Sequence, residues 1–333
     1  MTKTYRAVML TKKGGPEVLE QVELPMVEPG PGELRVRVLA TGVGATDLTM
    51  RRGYYPYAPK LPFVQGYDTV GRVDAIGAGV SGFTVGEKVC ALLVWGGLGE
   101  YVTRGAEHWV KVPEELDDAE VVALILNYAT AYQALHRVAQ LQAGQTALVN
   151  GANGGVGQAL LELMRAHGVK AIGAAASAKR GLVEGLGAQW VEGRSAPADA
   201  GVKALYPDGL DAAFDGLGGA ATGQCVRALK RGGVLVWYGF SGTGGSNVSL
   251  ARGAAAFFVQ PFFAGKRSRF YGITQLYRKD PAPLREDLPK LFDLLKRGEV
   301  KPRIAARMPL LEARAANERL ERGGVDGKIV MVA

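Results

Sequence analysis

The run Thr146–Gly157, TALVNGANGGVG, restricts the possible folds of this chain more than any other stretch. Ala147–Val149 is a short apolar run suited to a buried β-strand, and Gln158–His167 carries the pattern of an apolar helix. Between them stand Gly151, Gly154, Gly155 and Gly157. A strand, a glycine turn and a helix in immediate succession form the opening of a dinucleotide-binding βαβ unit. Glycines permit the tight turn, and they let backbone N–H groups approach a pyrophosphate at the positive end of the helix. The spacing is G-x-x-G-G-x-G rather than G-x-G-x-x-G, so the flanking strand and helix carry the assignment.

A chain of 333 residues has room for two ordinary domains, and 47% hydrophobic with 22% charged residues is a globular composition. The sequence has no apolar run of membrane-spanning length, and the start MTKTYRAVML lacks a signal-peptide core. Cys90 and Cys225 offer neither a disulfide framework nor a structural zinc site, so a cytoplasmic location is expected. The net charge of +8 is dispersed in pairs such as Lys12-Lys13 and Arg51-Arg52, with no basic run. A nucleic-acid or membrane partner is therefore not expected, and an anionic cofactor would use part of the excess.

The first 120 residues read as short strands with Gly/Pro punctuation: Tyr5–Leu10, Glu33–Ala40, Val70–Ile76, Glu87–Val94 and Glu100–Arg104. They predict a barrel-like β domain. Helices are expected over 117–123 and 128–139. Strands at 146–150, 169–174, 189–191, 210–215, 233–238 and 270–274 then alternate with helices at 158–167, 179–186 and 220–229. That alternation predicts a parallel, doubly wound sheet. The C-terminal part predicts helices at 288–297 and 311–322 and a strand at 328–332. The stretch from Gly242 to Ser268 contains an apolar run, Ala254–Ala264, expected to be a buried or dimer-contacting helix.

The strand Val169–Ala174 runs into Ala175, Ala176, Ser177, Ala178, Lys179 and Arg180, with no carboxylate. An acidic residue there would pair a free ribose 2′-OH; a hydroxyl and two cations suit a 2′-phosphate instead. This points to NADPH, with Ser177, Lys179, Arg180 and, after the third strand, Arg194 as the pocket.

A nicotinamide enzyme must polarise its acceptor. Zinc is not expected, because His108, His136 and His167 lack a cysteine at ligand spacing. None of the 12 tyrosines has a lysine four residues on, and Gly239-Phe240-Ser241-Gly242 is not a nucleophile elbow. The remaining polar cluster is Asp47, Arg51, Tyr54, Tyr55, Tyr57 and Gln65. In it a tyrosine hydroxyl can donate to a substrate oxygen and Arg51 can steady an enolate. Each of these side chains also has a plain structural use, in packing, in a turn or in solvent.

The motifs GGPEVLE (Gly14–Glu20), PGPGELRVRV (Pro29–Val38), GVGATDLTMRRGYYP (Gly42–Pro56), GYDTVGRVDAIGAGVSGFTVGEKV (Gly66–Val89), NYATAYQAL (Asn127–Leu135), NGANGGVGQA, FDGLGG (Phe214–Gly219) and GKIVM (Gly327–Met331) extend over nearly the whole chain. With them the sequence resembles the medium-chain dehydrogenase/reductase superfamily, in its zinc-free quinone oxidoreductase branch. The resemblance implies a GroES-like catalytic domain (1–124), a Rossmann NADPH-binding domain (125–275), a returning segment (276–333) and a cleft between the domains. It also implies a homodimer paired through the strand Phe270–Thr274. Tyr128 and Thr130 would lie near the nicotinamide, and Gly154, Gly155 and Val156 under the phosphates. Asn150, Gly216 and the turn Tyr238-Gly239-Phe240 would lie beside the cofactor, and Ser177 and Lys179 at the 2′-phosphate.

The sequence also departs from the family's patterns. Gly44 stands where zinc members have cysteine, and Tyr67-Asp68 where they have His-Glu, which leaves no catalytic zinc set. Gly44-Ala45 replaces the Asn-Pro common in the quinone reductases, and Arg194 replaces a tyrosine. The implied activity is NADPH-dependent reduction of a quinone or of the C=C bond of an α,β-unsaturated carbonyl. Two alternatives stand beside it: an enoyl-thioester reductase and a non-catalytic NADPH-binding protein.

Overall fold

The computed structural model describes residues 3–241 and 247–333. The chain divides into two compact units, one of Met1–Ala129, Tyr277–Lys296 and Pro302–Ala333, the other of Thr130–Leu276 and Arg297–Lys301. The crossing at Ala129/Thr130 lies beyond the expected boundary at 124, and 297–301 is a second, unexpected return.

The first unit begins with β1 (Thr4–Leu10), β2 (Leu19–Pro25), β3 (Glu33–Val43), β4 (Phe63–Val64), β5 (Asp68–Ile76), β6 (Lys88–Leu92), β7 (Tyr101–Gly105) and β8 (Val110–Lys111). A small sheet has the order β2-β1-β4. In the larger one β3 pairs with both β5 and β7. Leu34, Val36, Val38 and Ala40 of β3 are buried, the alternation the sequence shows. Register shifts at Arg35/Val36 and Val38/Ala40 let this long strand bend, which a barrel-like sheet requires.

The second unit holds β9 (Thr146–Asn150), β10 (Lys170–Ala175), β11 (Gln189–Glu192), β12 (Leu210–Asp215), β13 (Leu229–Trp237) and β14 (Arg267–Phe270). All are parallel, in the order β11-β10-β9-β12-β13-β14. The chain works outward from β9 to β11, then returns and works outward again from β12. The switch point therefore falls between β9 and β12, where Asn150 pairs with Asp215. Leu148, Ile172, Ala213 and Leu235 form the centre of the core.

Several elements differ from expectation. The helix after β9 starts at Gly155, not Gln158, so the glycine loop is shorter. The helix expected over 128–139 is Ala129–Tyr132 flanked by wide, π-type turns at Leu124–Tyr128 and Gln133–Ala139. The edge strand is Arg267–Phe270 rather than 270–274. Gly272 follows it and Ile273–Lys279 is helical; a short apolar run does not by itself separate strand from helix. A helix at Ala198–Leu205 was not expected. The apolar run 254–264 falls in the helices Asn247–Phe258 and Gln260–Phe263; Ala256 and Phe257 are buried, whereas Phe258, Phe262 and Phe263 are exposed. The glycines at 242–246 that lead into it lie outside the described residues.

The C-terminal part returns to the first unit with the helix Ala282–Lys296, the strand β15 (Ile304–Pro309), the helix Ala313–Arg322 and β16 (Lys328–Val332). β16 pairs antiparallel with β3, with Ile329 opposite Val43 and Val332 opposite Ala40.

Leu148 lies on the central strand β9 and is fully buried. Leu148→Ala should cost about 2–5 kcal/mol, because the helices on a fixed sheet cannot collapse onto the void. Denaturant titration of the transition that unfolds the second unit measures it. A loss under 1 kcal/mol would show that the site repacks freely.

Candidate functional site

In the second unit the glycine turn is built by close packing. Gly151 has φ +81°, a region that L side chains avoid, and Gly154 N–H donates to Gly151 O at 3.0 Å. A Cβ on Gly157 would lie 2.3 Å from Gly151 O, so only glycine lets the first helical turn sit this close to the strand end. Gly154 is the N-cap of the helix Gly155–Ala166, and no side chain caps it. The first-turn N–H groups, including those of Gly155 and Val156, suit an anion at this end of the helix.

The neighbouring turn, after β12, is organised by Asp215, which the sequence reading did not single out. Its carboxylate accepts N–H from Leu217 (3.0 Å) and Gly218 (3.1 Å) and the hydroxyl of Thr222 (2.7 Å). Burial pushes its pKa up, partly offset by those three donors. A Cβ on Gly216 would meet the Tyr238 ring at 2.8 Å, and one on Gly239 would meet Gly216 O at the same distance. The turns after β12 and β13 are thus pressed together. Ser241 Oγ donates to Gly216 O (2.9 Å), Phe240 is half-buried beside them, and burial raises the pKa of Tyr238. The signal missed in the sequence is the Asp that opens D-G-L-G-G with a Thr at position 222.

Asn150, at the end of β9, is buried, and its amide donates to Cys225 Sγ (3.5 Å), which ties β9 to the helix Ala220–Ala228. Thr130 is buried with an Oγ1 that has no protein partner, a hydroxyl available to a ligand group. Tyr128, in the first unit, is buried as well.

At the end of β10, Ser177 is exposed and Lys179 half-buried, in a short 3₁₀ turn. Arg180 is exposed; it pairs with Glu184 one turn on (2.8 Å) and lies 5.4 Å over the Trp190 ring of β11. The Arg194 side chain is exposed. Glu192, unremarked in the sequence, accepts N–H from Gly193, Arg194 and Ser195 at 2.7–3.1 Å, which lowers its pKa. Its charge serves that turn. It ends the third strand rather than the second, so it does not supply the acid that a free ribose 2′-OH calls for.

In the first unit, β16 brings Lys328 against Asp68, with Nζ 2.6 Å from Oδ2 and both residues buried. Gly42 makes the space: a Cβ there would lie 2.2 Å from Lys328 Cε and 2.3 Å from Asp68 Oδ1. A Cβ on Gly44 would be 4.0 Å from Lys328 Nζ. Next to them, the helix Ala45–Arg51 carries Asp47, whose Oδ2 accepts Gly44 N–H (2.9 Å). Gln65 Nε2 donates to Asp47 O (3.1 Å). Asp47 Oδ1, Asp68 Oδ1 and Gln65 Oε1 are buried without a partner. Burial lifts the Asp47 pKa to about 7, with the Lys328 charge opposing. Tyr55 and Tyr67 hydroxyls meet at 2.8 Å, whereas Tyr54 is exposed and the Tyr57 ring lies 5.5 Å from the Arg278 guanidinium.

Arg51 does not join this group. It is fully buried, and it donates to Asn317 Oδ1, Gly14 O and Glu321 Oε1. All three guanidinium nitrogens are engaged with the helix Ala313–Arg322 and the loop at Gly14, so the expectation that Arg51 steadies an enolate gives way to a structural role. Helical spacing puts Asp47 and Arg51 on adjacent turns, but the distant partners of Arg51 are invisible in local sequence.

Among the described residues, no group of three or more His, Cys, Asp or Glu is placed to hold a metal ion. The family models for the alcohol dehydrogenase GroES-like domain and the zinc-binding dehydrogenase match residues 30–114 and 186–331. The chain is 31% identical to the quinone oxidoreductase of Rattus norvegicus over 99% of its own length and 98% of that protein. It is 31% identical to the Homo sapiens synaptic vesicle membrane protein VAT-1 homolog-like over 98% of its length and 80% of that protein. A mycobacterial protein solved with NADPH superimposes with a TM-score of 0.86 at 27% identity, over 99% of this chain and all (100%) of that one. The chain belongs to the medium-chain dehydrogenase/reductase superfamily, in its quinone oxidoreductase branch. It is an oxidoreductase of that type, with a GroES-like and a Rossmann domain.

Two predictions follow from this geometry. An acid whose folded pKa is raised binds more protons folded than unfolded, so Asp47 costs stability as pH rises from about 4 to about 7. Asp47→Asn should remove that slope and gain up to roughly 4 kcal/mol relative to wild type at pH 8. Denaturant unfolding at pH 4.5 and 8 (conditions of roughly equal salt) checks this, and parallel pH profiles would contradict it. Arg51→Met should lower stability by roughly 3 kcal/mol, since it strips a buried cation from Glu321 and two other acceptors. A catalytic Arg51 would instead show lost turnover with an unchanged melting temperature.

Proposed function

We propose that this oxidoreductase uses NADPH to reduce a quinone or the C=C bond of an α,β-unsaturated carbonyl, without a metal. The observation that carries the reading is the switch-point cradle of the second unit, whose neighbouring strand β10 runs into a turn with Ser177 and Lys179 and no acid. The names of relatives support it: quinone oxidoreductases, and a mycobacterial neighbour solved with NADPH.

Bound there, NADPH would supply hydride. The chain's own residues do the rest. The Gly154-Gly155-Val156 turn would cradle the pyrophosphate with backbone N–H groups at the start of the helix. Ser177, Lys179, Arg180 and Arg194 would hold the 2′-phosphate, the three cations by charge-assisted bonds. Thr130 Oγ1, an otherwise unused buried donor, suits the carboxamide. Gly216, Tyr238, Gly239 and Phe240 form a flank whose close packing leaves a smooth wall. In the first unit, Asp47, Tyr54 and Tyr55 are the acceptor-facing candidates. Transfer to a conjugated acceptor needs mainly positioning and polarisation of an oxygen, which matches a site rich in hydroxyls.

A homodimer is part of the proposal, supported by the open edge of β14 and the exposed Phe258, Phe262 and Phe263. So is a cytoplasmic location; among the described residues, no helix is long and apolar enough to cross a membrane.

NADPH and NADH consumption with a simple quinone, an enone and an enoyl thioester tests the reading. Turnover with quinone or enone supports it; thioester alone would favour a carrier-bound substrate. Neither binding nor oxidation of NADPH would refute it. Lys179→Glu should cut the NADPH/NADH preference by about 10–100-fold, the effect of turning one charge-assisted bond into repulsion. An unchanged ratio would overturn the pocket.

A further inference from the structure

We propose that Tyr55 gives the proton to the acceptor's oxygen and that Tyr67 is the positioning residue that fixes Tyr55 and stabilises its phenolate. This rests on the reductase reading above. Four aromatic hydroxyls stand in this part of the first unit, and the geometry separates them. Tyr54 is 59% exposed. The Tyr57 carbonyl accepts from Arg278 Nη2 (2.8 Å), and its ring lies beside that guanidinium. Tyr55 is half-buried, with its hydroxyl 2.8 Å from that of Tyr67 and the rings edge-on at 6.2 Å. Tyr67 is 1% exposed. One phenol is therefore held in the core and the other is partly open, with their oxygens in contact.

The backbone around Tyr67 is fixed more tightly than packing alone requires. Its carbonyl accepts two N–H groups, from Leu93 (2.8 Å) and Val94 (3.0 Å). To give the second, Val94 adopts φ +69°, an outlier for a β-branched residue and a strain of order 1–3 kcal/mol. On the other side, Gly66 has φ +104°, and a Cβ there would lie 2.3 Å from Leu98 N. Strain on one flank and a position open only to glycine on the other hold Tyr67 in place. Such strain persists where the surrounding fold over-determines a position, and it clusters at functional sites.

Hydride addition to the far carbon of the conjugated system forms a C–H bond and moves an electron pair onto oxygen; the acceptor is reduced by the two electrons NADPH loses. That oxygen takes the proton of Tyr55, whose O–H bond breaks. The Tyr55 phenolate is stabilised by the Tyr67 hydroxyl, which donates a hydrogen bond to it, and Tyr55, the partly open member, regains its proton from water. An enol so formed tautomerises in solvent. Either hydroxyl can be the donor in the resting pair, and donation from Tyr67 is the working direction. A hydrogen bond to the charged form lowers the pKa of the acid that must ionise.

Tyr55→Phe and Tyr67→Phe, each beside wild type, test the relay on an enone. Tyr55→Phe should lower kcat about 100-fold, the scale of a lost general acid, with NADPH affinity by fluorescence unchanged. Tyr67→Phe should lower kcat about tenfold. It should also move the alkaline limb of the kcat profile to higher pH, because the remaining phenol has lost its stabilising donor. A purely structural Tyr67 would lower the melting temperature and leave that limb in place, which overturns its assigned role. Tyr55→Phe alters a half-buried surface residue, so it decides the case where Tyr67→Phe does not fold. Retention of more than half the wild-type kcat in Tyr55→Phe overturns the relay while the reductase reading stands. A wild type that oxidises no NADPH with quinone, enone or thioester overturns both.

Discussion

The buried Lys328–Asp68 ion pair is the interaction on which the first unit depends. The two residues come from opposite ends of the chain, and both are withdrawn from water. Desolvating two charges is expensive, and an ion pair left with one member is far worse than none. The pair is tolerable because β16 lies against β3 in fixed register, which places Lys328 beside the one position, Gly42, without a side chain to obstruct it. The same pairing sets Gly44 and Asp47 at the rim of the pair. A C-terminal strand thus completes a polar cluster whose other members lie within residues 42–68, and Asp47 titrates near neutrality because of that burial.

The second unit depends on a different constraint, the order of its strands. In a parallel sheet wound outward in two directions, the loops after the two central strands diverge and leave a crevice. Here those loops are the glycine turn after β9 and the Asp215 turn after β12. Asp215 contributes by bonding its own turn rather than a ligand, and Gly216 and Gly239 contribute by having nothing to project. Backbone groups and absent side chains build most of this site, so substitutions there act first through sterics.

Legibility in the sequence tracked the range of the interaction involved. The strands 146–150, 210–215 and 328–332 were readable because apolar runs with turn residues at both ends are local signals. β2, β4 and β15 were missed, being short or polar and existing through their partners. The edge strand was displaced by three residues because apolar Tyr271 and Ile273 read equally well as strand or helix. At the site, the glycine cradle and the acid-free end of β10 followed from spacing. The burial of Arg51 against residues 317 and 321, the turning of Asn150 toward Cys225 and the meeting of Tyr55 with Tyr67 did not.

The sequence by itself determined the two-domain α/β architecture, the superfamily and the position of the glycine loop between β9 and its helix. Those rest on periodicity, on glycine where the backbone demands it, and on motifs that are contiguous in the chain. Only the tertiary structure decided which polar residues meet. It engages Arg51 with Asn317 and Glu321, sets Lys328 against Asp68 and Tyr67 against Tyr55, and buries Thr130 with no protein partner for its hydroxyl. The reason is physical: hydrogen bonds and ion pairs reach only about 3 Å, and which groups come within that distance is fixed by strand pairing and packing across hundreds of residues.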